Sequence, residues 1–416
     1  MSRVVCALMG CFFIFGTALA QAPVKPVATA STTTPAPTSS GMVSVTASSA
    51  TFSTTPIVSA PIVAAKSYVV LDTQSHQILA VSNGDQKMEP ASLTKMMTAY
   101  VVFQALKDKR ISLSQPVTIS QAAYKAVGSR MFADPKTPVS VEDLIKGMII
   151  QSGNDASIAL AELVGGTEAT FLDIMNKQAQ RMSLNSTRFT NSTGLPDPQH
   201  VSTANDMVQL ARALIEDFPA EYAKYYAQKD FTYNRITQPN RNRLLWLDPT
   251  VDGVKTGHTD NAGFCLVASA KRPGAAGTTR RIITVVMGTS GMDARAQESS
   301  KLLNWAFQNF DTVRFAQAGK ALVTPEIWKG TKSVASLGFL QDAWISLPKG
   351  SSEKIKTEIT RPQPLIAPIA KGQNIGSIKL LIDGKVIVEK PVQALEDVPQ
   401  AGLLGRAWDS MRLWFK

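Results

Sequence analysis

Glu89-Pro90-Ala91-Ser92-Leu93-Thr94-Lys95-Met96-Met97-Thr98 sets a serine and a lysine three residues apart where a helical segment, Leu93 to Leu106, begins. That spacing stacks the two side chains on one helix face, one turn apart. A neutral lysine so placed can accept the serine proton, and the helix amino end favours the negative charge that follows. The pattern is weak alone. Ser351-Ser352-Glu353-Lys354 has the same form, and it sits beside Pro348-Lys349-Gly350 in what reads as a loop.

Two further motifs lie downstream. Ser152-Gly153-Asn154 falls between two expected helices: Val141 to Ile150, with Ser140 as N-cap, and Asp155 to Val164, closed by Gly165-Gly166. A loop there can project a hydroxyl and an amide into a cleft, although Ser183-Leu184-Asn185 repeats the pattern. Lys255-Thr256-Gly257 precedes a strand, where glycine admits an extended substrate. Strands are expected at Ser67–Asp72, its hairpin partner Gln77–Val81, Gly263–Ala270 and Arg281–Met287, and a last amphipathic helix at Ala294–Phe310. Strands at both ends with helices between them predict an α+β domain over residues 64–313. The three motifs in this order and these settings are far more specific than any one of them.

The flanks read differently. Residues 1–20 carry Arg3, an apolar run through Phe12-Phe13-Ile14-Phe15 and then Ala18-Leu19-Ala20, the pattern of a secretory signal peptide. Residues 21–63 are Ala, Ser, Thr, Pro and Val with Lys25 as the one charge, and they predict a disordered linker. Residues 318–395 alternate short β-prone runs with Pro and Gly. Asp383-Gly384 between Ser377–Ile382 and Lys385–Val388 marks a hairpin, so a small all-β domain is expected. At 399–416, Leu404, Trp408, Met411 and Phe415 follow helical spacing beside Arg406, Arg412 and Lys416. This predicts a basic amphipathic helix, too short to span a bilayer and suited to lying in its surface; packing on the protein's own core is the competing reading.

Composition narrows the chemistry. The 416 residues carry a formal net charge of +11, with 44% hydrophobic and 18% charged residues. There is no dense Lys/Arg block and no aromatic-laced basic motif, so nucleic acid is not an expected partner. His76, His200 and His258 are not at metal-ligand spacing, and none lies in a Gly-x-Ser-x-Gly setting. Neither a metal nor another cofactor is expected. Cleavage after Ala20 would leave Cys265 as the one cysteine, read as a buried strand residue.

On these motifs the chain resembles the low-molecular-mass penicillin-binding proteins, the serine D-Ala-D-Ala carboxypeptidases. The segment around Ser92, Leu144–Asp155, Asn240-Arg241-Asn242-Arg243-Leu244-Leu245-Trp246 and Val251–Thr259 carry the likeness, which extends over about residues 64–395 and into the terminal helix. It implies a serine β-lactamase/penicillin-binding-protein-like catalytic domain, an antiparallel sheet with helices, followed by the small β domain. It implies that Ser92 attacks the peptide bond between the two D-alanines of a peptidoglycan stem peptide, with Lys95 as general base and Ser152 relaying a proton to the leaving D-alanine. Asn154 would orient the substrate amide or Lys95. Backbone N–H groups of Ser92 and His258 would form the oxyanion hole. Lys255, Thr256 and Arg295, with Gly257 alongside and Arg241 in support, would bind the terminal carboxylate. β-Lactams are the expected covalent inhibitors, and the periplasmic face of the cytoplasmic (inner) membrane is the expected location. Three residues have a second reading: Arg295 can pair with Glu298, Asn154 can be a helix N-cap, and Arg241 can be structural. Class A β-lactamase activity is the runner-up, although Phe189–Leu195 lacks the glutamate that group uses for deacylation. Peptidoglycan endopeptidase activity and a non-catalytic cell-wall binding role on the same fold also stay open.

Overall fold

The computed structural model describes residues 58–274 and 277–414. The expected signal peptide at 1–20 and most of the expected linker lie outside the described residues. The core is a five-stranded antiparallel sheet built from β1 (Ser67–Asp72), β2 (Gln77–Ser82), β3 (Val251–Thr259), β4 (Gly263–Pro273) and β5 (Thr279–Thr289), in the order β2-β1-β5-β4-β3. Both faces are covered. Ile283, Val285 and Met287 of β5 enter one hydrophobic cluster, while Ile282 and Val286 enter another. Side chains alternate along a strand, so two covered faces turn the alternation into the continuous apolar run seen in the sequence.

Four helices pack within the larger cluster: α1 (Lys95–Lys107), α2 (Val141–Ile150), α3 (Asn154–Gly165) and α4 (Glu168–Arg181). They are joined there by α5 (Ala204–Asp217), and α6 (Met292–Asn309) covers the opposite face. α1 is buried nearly all round, from Met96 and Met97 to Val102 and Phe103, as a central helix must be. α2 begins where its sequence indicates, with Ser140 Oγ accepting from the Asp143 N–H at 3.1 Å.

The chain is α+β, with an all-β portion after α6. There β6 (Phe310–Ala316) and β9 (Ala343–Pro348) pair antiparallel. β7 (Ala321–Val323), β8 (Leu337–Gly338), β10 (Lys356–Thr360), β11 (Asn374–Ile382) and β12 (Lys385–Ala394) form a second sheet in the order β7-β8-β12-β11-β10. Asp383 and Gly384 join β11 to β12 with φ of 49° and 77°, the left-handed pair that a two-residue hairpin turn requires.

Three expected boundaries shift. The linker does not reach 63: Val58, Ala60 and Val63 pack against the α6 cluster, Trp305 Nε1 donates to Ser59 O at 2.9 Å, and Lys301 Nζ donates to Ile62 O at 3.0 Å. These residues cannot build a core of their own, but they borrow one. The expected end of the catalytic domain at 313 falls inside a strand, because β6 spans 310–316 and takes Phe310 from the predicted helix, and the expected start of the β domain at 318 comes just after it. The β portion continues past 395, since Val398 is fully buried and bridges Ile369.

A buried polar cluster ties the two portions together. Asp72, at the end of β1, accepts from Arg280 Nε and Thr312 Oγ1, both at 2.6 Å, and from the Gln74 and Ser75 N–H groups. Ser75 Oγ meets Ser346 Oγ of β9 at 2.7 Å. Arg280 also donates to the Ala306 and Phe310 carbonyls.

The last element among the described residues is α7 (Leu403–Trp414), and its packing is inverted. Its polar side faces the β portion: Asp409 accepts from the Lys329 N–H at 2.6 Å, and the Arg412 guanidinium lies 5.2 Å from the Trp328 ring centre and 3.9 Å from Glu326. Leu403, Leu404, Trp408, Met411 and Trp414 face outward, with Leu404 90% and Trp414 87% exposed.

Candidate active site

Ser92 lies on a 3₁₀ turn, Ala91–Thr94, and Lys95 opens α1 directly after it. With three residues per turn, positions i and i+3 eclipse. Lys95 Nζ accordingly stands 3.1 Å from Ser92 Oγ. Two other oxygens hold it, Asn154 Oδ1 at 2.7 Å and the Thr193 carbonyl at 2.5 Å. Neither can donate to nitrogen in this arrangement, because one is an amide oxygen and the other a backbone carbonyl. A neutral lysine therefore spends both N–H bonds on them and turns its lone pair toward the Ser92 hydroxyl.

Lys95 is 1% exposed. Burial first, and then the Arg241 charge, lower its pKa to about 7, with Asp155 opposing both. Ser152 sits in the α2–α3 loop with φ of 62°, a conformation costly for a non-glycine residue, and its Oγ accepts from Lys255 Nζ at 3.0 Å. Burial first, then Lys95, Arg241 and Arg295, hold Lys255 well below the ordinary lysine value. Two lysines and two arginines thus act on one small volume. Among the described residues none of the four has a carboxylate within ion-pair distance, and such an arrangement is suited to an incoming anion.

β3 brings Lys255, Thr256, Gly257 and His258 to this volume. It is an edge strand, with Lys255 opposite Val267 and His258 opposite Phe264 on its inner side. Its other edge is open to pair with an extended peptide. Gly257 answers a different need from the expected one. A Cβ there would lie 3.1 Å from the Pro90 carbonyl oxygen and 3.2 Å from Ala91 Cβ, so the absent side chain lets the Ser92 turn approach the strand. The His258 ring leans on Phe264 with 4.0 Å between centres.

The three residues with a second reading resolve in part. Asn154 is the first helical residue and Gly153 the N-cap; its Nδ2 donates to Val127 O at 2.6 Å while its oxygen serves Lys95. Glu298 pairs with Lys301, not with Arg295. The Arg295 guanidinium instead donates to the Gly257 and Arg241 carbonyls at 3.2 and 3.4 Å, pinning β3 to the segment that carries Arg241. Arg241 keeps an exposed side chain on a backbone fixed by Arg295 and by Asn242, whose Nδ2 donates to Gly253 O.

Sequence reasoning missed two groups. The Thr193 carbonyl belongs to no side-chain motif. Its turn was legible in Asn191-Ser192-Thr193-Gly194, where Asn191 Oδ1 accepts from the N–H groups of Thr193, Gly194 and Leu195. Asp155 is fully buried and accepts from the N–H groups of Met131, Phe132 and Ala133, fixing the loop beside Asn154.

A serine hydroxyl facing a buried lysine amine, set at a sheet edge beside a second serine and a lysine-threonine-glycine strand, is the arrangement of a serine acyl-enzyme hydrolase of the penicillin-recognising type. Residues 54–291 match the D-alanyl-D-alanine carboxypeptidase family, peptidase S11, and residues 310–400 match the penicillin-binding protein 5 C-terminal domain. The chain belongs to this family of serine peptidases. It is 44% identical over 379 residues to D-alanyl-D-alanine carboxypeptidase DacA of Haemophilus influenzae, covering 90% of this chain and 94% of that protein. It is 44% identical over 367 residues to DacC of Escherichia coli, covering 86% and 90%. The crystal structure of penicillin binding protein 5 from Haemophilus influenzae superposes with a TM-score of 0.78 at 44% identity, over 82% of this chain and 100% of that one.

Proposed function

We propose that this protein is a serine D-Ala-D-Ala carboxypeptidase that trims peptidoglycan stem peptides through an ester on Ser92. The observation that carries the reading is the Lys95 cradle, which makes a neutral amine at near-neutral pH and aims its lone pair at the Ser92 hydroxyl. Ser92 Oγ attacks the carbonyl carbon of the penultimate D-alanine and its proton passes to Lys95. The Ser92 and His258 N–H groups receive the oxyanion. As the C–N bond breaks, the leaving amine takes a proton through Ser152, which Lys255 orients. Water then cleaves the ester. Lys255, Thr256 and Arg241 receive the terminal carboxylate, while Arg295 holds the strand and adds charge. The arriving carboxylate raises the Lys255 pKa and so restores the cation that binds it. β-Lactams, with a carboxylate beside a strained amide, enter the same way and acylate Ser92.

Fast β-lactam hydrolysis would need a carboxylate poised over the ester. Glu168 reaches this flank, but its Oε1 accepts from both the N–H and the hydroxyl of Ser192. The expected outcome is a stable adduct. Incubation with benzylpenicillin should add one acyl group to the peptide containing Ser92, and a peptide ending in D-Ala-D-Ala should release D-alanine. Failure to acylate sinks the proposal, and an adduct without D-alanine release moves it to transpeptidase or endopeptidase work.

We read residues 1–20 as a signal peptide and the protein as exported, held at the periplasmic face of the inner membrane by α7. No helix among the described residues is long and apolar enough to cross a membrane. What supports surface binding is the inverted packing of α7, since a helix that docks by its polar side leaves its apolar side for another medium. A chain ending at Ala401 should lose at least about tenfold in binding to anionic lipid vesicles while keeping its activity. Unchanged vesicle binding would remove α7 from this role.

A further inference from the structure

Buried against the nucleophile turn is a histidine that the mechanism does not use. His200 is 1% exposed, and its two ring nitrogens join segments on either side of it. Nε2 lies 2.8 Å from Thr94 Oγ1, in the turn that carries Ser92. Nδ1 lies 3.1 Å from Thr190 Oγ1 and 3.3 Å from the Thr190 N–H, at the start of the segment that delivers the Thr193 carbonyl to Lys95. The proton positions follow from the partners. Thr94 Oγ1 gives its one proton to the Ala91 carbonyl at 2.8 Å, so it must accept from Nε2–H. Nδ1 is then the acceptor for Thr190. Every hydrogen bond in the chain points one way, from Thr190 through His200 and Thr94 to the carbonyl of Ala91. Burial lowers the imidazole pKa to about 4, in keeping with a neutral ring.

The end of that chain matters because Ala91 is strained. Its φ is 49°, unusual for a residue with a side chain, and it immediately precedes Ser92. Gly194, three residues from Asn191, is pressed against the same carbonyl: a Cβ on it would lie 1.8 Å from Ala91 O. The orientation of the Ala91–Ser92 peptide sets the direction of the Ser92 N–H.

We infer that His200 is a positioning residue for the acylation step, a neutral clamp that holds the strained Ala91–Ser92 peptide and locks it to the segment supplying the Thr193 carbonyl. It touches neither substrate nor reacting atoms. The inference rests on Ser92 being the acylated residue. Its effect falls on the transition state, where the Ser92 N–H meets the oxyanion, and hardly at all on substrate binding.

The test is the rate of acylation by a fluorescent penicillin, with kcat and KM for a D-Ala-D-Ala peptide, on the full chain and four variants. Full loss of one oxyanion donor slows catalysis about 10²–10³-fold. Misdirecting one should cost about 10–100-fold in acylation rate and kcat in His200→Ala and Thr94→Val, with KM within about threefold. His200→Gln, which keeps a donor for Thr94, and Thr94→Ser, which keeps the hydroxyl, should stay near the parent. Parent-like rates in His200→Ala and Thr94→Val overturn the clamp, as does equal slowing in the Ala and Gln variants. If His200→Ala does not fold, the Thr94 pair decides. A parent chain that takes no penicillin at Ser92 fails the underlying function instead, and the clamp with it.

Discussion

Lys95→Met should lower Ser92 acylation by roughly 10³–10⁴-fold while leaving a folded protein, the loss expected when a nucleophile's activating base is removed. The parent enzyme should show the same dependence through pH. The base is the free amine, so activity rises tenfold per unit as pH climbs through the acid range and levels off above a midpoint near the Lys95 pKa of about 7. An ordinary lysine would place that midpoint more than three units higher. The stability effect follows from the same depressed value. Between about 7 and the ordinary lysine range the unfolded chain binds a proton that the folded chain does not. Buried Lys95 therefore penalises folding fully below pH 7, and the penalty fades as pH rises toward the unfolded value. A kcat/KM profile flat down to pH 5, or a Lys95→Met variant acylated within tenfold of the parent rate, would rule out Lys95 as the base.

Asp72→Ala should be the most destabilising change at the junction of the two portions. It leaves the Arg280 guanidinium buried beside two carbonyls with no carboxylate, and it strips the acceptor from Thr312 and from the Gln74 and Ser75 N–H groups. Breaking a buried ion pair from one side costs about 3–5 kcal/mol. For a protein of this size that corresponds to a fall in Tm of roughly 10 °C. Removing both charges, as Asp72→Leu with Arg280→Met, should recover most of the loss, because no unpaired ion remains. Thermal melts of the three chains decide it, and an Asp72→Ala melt within about 2 °C of the parent would show that the pair carries no such weight.

What could be read ahead of the structure was whatever neighbouring residues determine among themselves. Ser92 and Lys95 needed only a turn of known pitch, Ser140 announced α2, and Asp383-Gly384 announced its hairpin. What escaped were relations between distant segments. Nothing near Val58 reveals that α6 will offer it a surface. Phe310 has the apolarity of a helix face and becomes a strand because Pro348 and its neighbours pair with it. Gly257 looked like a place for substrate, whereas Pro90 and Ala91, far away in the chain, decide its identity. The Thr193 carbonyl and the Asp155 carboxylate act through geometry that no side-chain pattern encodes.

The docking of α7 has one more consequence. A foot fastened by Asp409 and Arg412 is a stand and not a leash. With the Asp72–Ser346 cluster stiffening the other joint, an enzyme lying by its apolar sole on a flat surface would hold its cleft at one altitude and one tilt. On the surface attachment proposed above, it would work like a mower with a fixed blade, reaching the peptides that cross one narrow band of height.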